Sequence, residues 1–168
     1  MPQNTNRKSE IRINNSILIP EIIKLINEGH TVTLTLKGFS MRPFLEDGRD
    51  KALLVQVKNP KVGDPVLAKT SFGTYVLHRI IKIEGNNVTL RGDGNLSDES
   101  CKYQDICASV EGFYRKGRTK LERTDGIKWK VYSWIWTRLF PIRRWLLAFY
   151  RRIWIKKQTS RRVDELIS

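Results

Sequence analysis

Only two cysteines, Cys101 and Cys107, occur in the 168 residues. That is too few for a disulfide-dense secreted scaffold or a Cys-rich zinc module. Their C-x5-C spacing, with no histidine nearby, is poor zinc geometry, and the sequence calls for no metal or other cofactor. Long apolar runs are also missing. The stretch Ile17–Ile26 is broken by Pro20, Glu21 and Lys24, so neither a signal peptide nor a membrane anchor is expected there. Acidic residues are scarce, with 17 Asp and Glu against 31 Lys and Arg, a formal charge of +14. Such an excess asks for an anionic partner, either nucleic acid or a membrane surface. There is no internal repeat and no low-complexity tract. The 40% hydrophobic and 10% aromatic content suffices for a packed core and excludes wholesale disorder.

The charge is concentrated. Residues 1–117 carry 17 basic and 13 acidic side chains, whereas residues 118–168 carry 14 and 4, a net of +10 in 51 residues. All five tryptophans, Trp129, Trp134, Trp136, Trp145 and Trp154, lie in the second part. Three segments are therefore expected: an N-terminal segment over 1–30 with one short amphipathic helix, a nearly charge-balanced domain over 31–117, and a basic Trp/Arg-rich helical tail over 118–168.

In the first segment, residues Met1 to Ser9 are polar and expected to fray. Pro20 suits a first helical turn, Ile22, Ile23, Leu25 and Ile26 supply an apolar face, and Gly29 ends the helix. The period then changes to two. Thr31-Val32-Thr33-Leu34-Thr35-Leu36 alternates and is rich in β-branched residues, as a strand requires. Further strands are expected at Ala52–Val57, Val66–Lys69, Tyr75–Ile83, Asn87–Arg91 and Ile106–Tyr114, with Glu84-Gly85-Asn86-Asn87 as a hairpin turn. The fold class is mainly β, a small antiparallel, partly open barrel or folded sheet.

Three stretches could carry chemistry. Gly38-Phe39-Ser40-Met41-Arg42-Pro43 places Ser40 just beyond a strand, between residues that shape a tight, exposed turn, where a nucleophile can be presented. His78 lies within the apolar strand Tyr75-Val76-Leu77-His78-Arg79-Ile80-Ile81, and imidazole is the commonest general base. His30 sits in a turn and is assigned no role. Arg91-Gly92-Asp93-Gly94-Asn95, with Asp98 beyond it, offers a carboxylate to orient the imidazole. Lys69 is a fallback base.

These boxes stand in a familiar order. Together with Lys61-Val62-Gly63-Asp64-Pro65-Val66, they resemble the signal peptidase superfamily of serine peptidases, which includes the self-cleaving repressors of the SOS type. The resemblance spans residues 31–117. Where most members place a lysine, this chain has His78, as in the endoplasmic-reticulum-type enzymes. The resemblance thus implies a serine endopeptidase acting on leader or signal sequences, with Ser40 as nucleophile and His78 as base. Asp98 or Asp93 would orient His78, with Glu99 also open. The Ser40 N–H would help to hold the oxyanion, in a nucleophile box that includes Gly38, Met41 and Pro43. Gly38 stands where many relatives have a serine that adds an oxyanion donor.

Residues 131–155 contain five arginines. At about 2.5–3.5 kcal/mol for each arginine near the bilayer centre, they oppose insertion across a membrane. Pro141 is expected to divide the stretch into two helices, the second with Ile142, Trp145, Leu146, Phe149 and Ile153 on one face. That pattern fits peripheral docking on an anionic membrane at its cytoplasmic face, through Trp134, Trp136, Arg143, Arg144, Trp145, Arg151, Arg152 and Trp154; the alternative is a helical pair that packs on the barrel or on a partner protein. Two other readings compete. One is a non-enzymatic basic adaptor for membrane or nucleic acid, which leaves the ordered boxes unexplained. The other is a self-cleaving regulator, for which no helix-turn-helix precedes the sheet.

Overall fold

The computed structural model describes residues 15–152. Residues Met1 to Ser9, Ile153 and Trp154 lie outside them. Helix α1 (Asn15–Asn27) buries Ile19, Ile22 and Ile26, which recur at helical spacing along one face. It begins earlier than expected, so Pro20 lies inside the helix, on its exposed side, rather than in the first turn. Gly29, at φ +93°, turns the chain out of the helix.

Eight strands follow: β1 (Val32–Thr35), β2 (Lys51–Val55), β3 (Pro65–Lys69), β4 (Tyr75–Glu84), β5 (Asn87–Arg91), β6 (Glu99–Lys102), β7 (Ile106–Tyr114) and β8 (Leu121–Arg123). Every pairing is antiparallel, in the order β1-β2-β7-β3-β4-β5-β6, with β8 added to β7. The sheet is open, not closed into a barrel, since β1 and β6 end the path without pairing to each other. Strands β6 and β8 carry no apolar alternation, and sequence pattern does not announce them. They form because β5 and β7 offer free edges.

Two apolar clusters support the sheet. One joins α1 to β2 and β7 and takes in Met41, Phe44 and Leu45 from the segment after β1. The other lies under β3 to β6, around Val66, Ile80, Val88 and Leu90. Trp129 belongs to the first cluster, with its ring centroid 4.8 Å from Phe44 and 5.2 Å from Phe113.

The expected division at 117/118 follows charge, and packing continues across it. Strand β8 pairs with Gly112–Tyr114, and helix α2 (Ile127–Arg138) buries Trp129, Ser133 and Trp136 against the body. A second helix, α3, covers 140–152 of the described chain, with a break at Leu139 and Pro141 in its first turn, as expected for proline. Among the described residues no helix is long and apolar enough to cross a membrane.

Candidate active site

Ser40 is presented by a loop that is pinned on both sides of it. Before it, Gly38 adopts φ +88°, a left-handed conformation that favours glycine, and its N–H donates to Asp47 Oδ1 at 2.7 Å. After it, Met41, Phe44 and Leu45 are buried in the core, and Pro43 follows a cis Arg42–Pro43 peptide. Ser40 is left half-buried at a cavity of about 150 Å³ whose lining includes Gly38, Ser40, Met41, Glu46, Leu77 and His78. Among the described residues, the Ser40 N–H meets no acceptor, so it is free to donate to an incoming oxygen.

His78 reaches the cavity from β4. Side chains alternate along a strand, so His78 shares a face with Ile80, while Arg79 points the other way. Both are buried because β4 is covered on both faces. Across the sheet Leu90 pairs with Ile80 on one side and Glu99 on the other. This register carries Glu99 toward His78, with Nδ1 and Oε2 2.9 Å apart. The pair is close without aligned hydrogen-bond geometry, and among the described residues neither atom has a hydrogen-bond partner. Burial drives the His78 pKa below its ordinary value, and the charges of Glu99 and Asp93 oppose that shift only in part. The imidazole is therefore neutral near pH 7, the state a base requires.

The Gly92-Asp93-Gly94-Asn95 turn closes the site from beneath. A Cβ on Gly92 would stand 2.4 Å from the Ser40 carbonyl oxygen and 3.0 Å from His78 Nε2. A Cβ on Gly94 would stand 2.5 Å from the Phe39 carbonyl oxygen. Only glycine permits that approach, which the Gly94 N–H secures by donating to the Ser40 carbonyl at 2.7 Å. The turn thus lies between the Ser40 loop and His78. Ser40 and His78 line one cavity without a direct hydrogen bond between them among the described residues.

The structure separates the carboxylates considered from sequence. Glu99 is the one beside His78. Asp98, a candidate through the family resemblance, is exposed and pairs with Arg91, with Nη2–Oδ2 at 2.7 Å. Asp93 is 1% exposed and faces away from the imidazole, taking Arg79 Nε at 2.9 Å and Nη2 at 2.7 Å. Tyr132 OH also donates to Asp93, at 2.9 Å, and Trp136 Nε1 donates to its carbonyl at 3.0 Å. Arg79 Nη1 donates to the Gly63 carbonyl at 2.8 Å and to Ser133 Oγ at 2.6 Å, and its guanidinium lies over the Trp129 ring at 4.6 Å. Sequence reading missed this network because Tyr132, Ser133 and Trp136 lie in a segment whose composition points outward.

The residues expected to meet a membrane divide in the same way. Trp136 and Arg143 are 8% and 1% exposed, a correction to their expected role. Trp136 is held by its bond to Asp93, and Arg143 donates to the Trp136 carbonyl at 2.7 Å. Trp134, Arg144, Trp145, Arg151 and Arg152 are exposed, and Trp154 lies outside the described residues. On α3, Arg143 and Leu147 face the body, whereas Ile142, Trp145 and Phe149 face solvent.

Cys101 and Cys107 are free thiols, and burial pushes Cys101 up to about 11, so neither is a ready nucleophile. No family model matches the chain, and a search of curated proteins found no significant match.

Proposed function

We propose that this protein is a serine endopeptidase of the signal peptidase type, in which Ser40 attacks and His78 serves as base. The observation that carries the reading is the convergence of Ser40 and neutral His78 on one cavity, with Glu99 2.9 Å from the far nitrogen of the imidazole. As a peptide enters, the Ser40 Oγ–C bond forms while the hydroxyl proton passes to His78 Nε2. The carbonyl electrons collect on an oxyanion that accepts from the Ser40 N–H, and Glu99 stabilises the imidazolium. Collapse then breaks the C–N bond, and His78 returns the proton to the leaving amine. Water, activated by the same imidazole, hydrolyses the ester and restores Ser40.

Mass spectrometry of peptides released in cells by wild type and by Ser40→Ala is the test. Peptides present with wild type and absent with Ser40→Ala and His78→Ala are expected, each variant remaining folded. An unchanged peptide set with Ser40→Ala would overturn the reading. Since the His78 pKa is lowered, cleavage should persist on acidification to below about pH 6.5, the ordinary histidine value. A neutral lysine base would instead demand alkaline conditions.

The enzyme is further proposed to dock peripherally on an anionic membrane at its cytoplasmic face. Trp145 and Phe149, 75% and 67% exposed, share a face of α3 with Ile142, with Arg152 beside Trp145 and Arg144 and Arg151 on the opposite side, a segregation of apolar and basic residues that suits a lipid interface. Trp145→Ser with Phe149→Ser should abolish flotation with anionic liposomes. Undiminished flotation would refute the docking face.

A further inference from the structure

Helix α3 does more than present an outer face, because its inner face reaches the loop that carries Ser40. Tyr150 OH donates to Glu46 Oε1, a contact between residues 104 apart in sequence. The other oxygen of Glu46 holds Arg42 Nη2 at 2.8 Å, and Arg42 stands two residues beyond Ser40. Glu46 also lines the cavity shared by Ser40 and His78. At its other end α3 is anchored by Phe140, stacked on the Arg91 guanidinium at 3.7 Å, and by buried Arg143. The helix therefore spans from the end of β5, just before the Gly92 turn, to the nucleophile loop.

We infer that Tyr150 and Glu46 are positioning residues, and that α3 is a strap that fixes the Ser40 loop through them. Two physical effects combine. Within 38–50 the loop is closed by its own side chains, Asp47 on the Gly38 N–H and Asp50 on the Glu46 N–H. It is held from outside by the Gly94 N–H on the Ser40 carbonyl, Arg115 on the Phe44 carbonyl and the Lys116 N–H on Asp50, but none of these bonds reaches the Glu46 side chain. Tyr150 adds a bond from outside and so limits the motions of the loop as a whole. The second effect is electrostatic. A carboxylate in the wall of a low-dielectric cavity opposes any negative charge that develops there. Arg42 and Tyr150 engage both Glu46 oxygens and so turn this charge away from the oxyanion. Burial and Glu46 push the Tyr150 phenol up to about 12, so it remains a donor throughout the working range.

The catalytic part of this inference rests on the peptidase reading, and the experiment separates the two. Tyr150→Phe keeps the ring and removes the donor, while Glu46→Gln keeps an acceptor and removes the charge. Hydrogen–deuterium exchange of segment 38–48 in the full chain requires no activity. It should be faster in Tyr150→Phe than in wild type, and equal exchange overturns the strap. Cleavage of a synthetic peptide library by Tyr150→Phe should fall about tenfold in kcat with KM unchanged, the size expected for one hydrogen bond to a charged group. The acid limb of its pH profile should move upward, because the freed carboxylate favours protonated His78. In the Tyr150→Phe, Glu46→Gln double variant the acid limb should return. An acid limb unmoved in Tyr150→Phe would overturn the electrostatic half. Faster exchange together with no cleavage by wild type would reject the peptidase reading and leave the strap standing.

Discussion

His78 and Arg79 are neighbours on β4, both buried, yet their two faces of the strand are built on opposite terms. Arg79 has all three guanidinium nitrogens bonded, to Asp93, Gly63 and Ser133, and aromatic rings of α2 cover it. His78 has one carboxylate close by and poorly aligned, with Nε2 left toward the Gly92 turn. A saturated buried charge fixes one arrangement, whereas a base must keep capacity for a proton it does not yet hold. The contrast separates a saturated ion pair from an unsaturated one within two consecutive residues.

The strongest way to break that contrast is on the closed face. Arg79→Ala would strand Asp93 as a buried carboxylate without its cation, and a stability loss of about 3–5 kcal/mol is expected from urea denaturation. A loss below about 1 kcal/mol would mean that this face is not a structural lock. On the open face, Glu99→Gln should leave stability nearly unchanged while lowering cleavage about 10- to 100-fold, because the imidazolium loses its counter-charge. Glu99 raises the His78 pKa against burial, so its neutralisation should move the acid limb of the pH–rate profile downward. Stability has its own sign. Folding lowers the His78 pKa, so below about pH 6.5 the unfolded chain gains the proton first and the folded state loses ground as acid is added. The smallest effect belongs to Asp98→Asn. Its pair with Arg91 is 42% exposed on the carboxylate side, and removal should cost within about 0.5 kcal/mol and leave cleavage intact. A large loss of cleavage there would return the orienting role to Asp98.

Sequence reading succeeds where local pattern and burial agree. The alternation from Thr31 to Leu36, the hairpin at Gly85 and the helix break around Pro141 all appear as expected, because each is decided by neighbouring residues. Ser40 and His78 stood out for a related reason, as polar groups in an otherwise apolar or turn-forming context. Glu99 was harder to select, since it is placed by β6, whose Glu-Ser-Cys-Lys sequence holds no strand signal of its own and depends on β5. Tyr132, Ser133 and Trp136 were hidden by composition: basic neighbours made the segment resemble a free tail, although Trp129, Tyr132 and Ser133, one helical turn apart on α2, face Arg79. The bond from Tyr150 to Glu46 left no trace at all, because nothing local marks two residues 104 positions apart.

The cover that α2 lays over Arg79 also has a consequence in time. A chain emerging from the ribosome carries Ser40 and His78 well before it carries Trp129, Tyr132 and Ser133. Until those last residues are released, the Arg79–Asp93 pair lacks part of its shell and the turn beneath Ser40 lacks its backing. The surroundings of Ser40 and His78 are therefore completed only after residues 129–136 have been released, later in synthesis than either side chain itself.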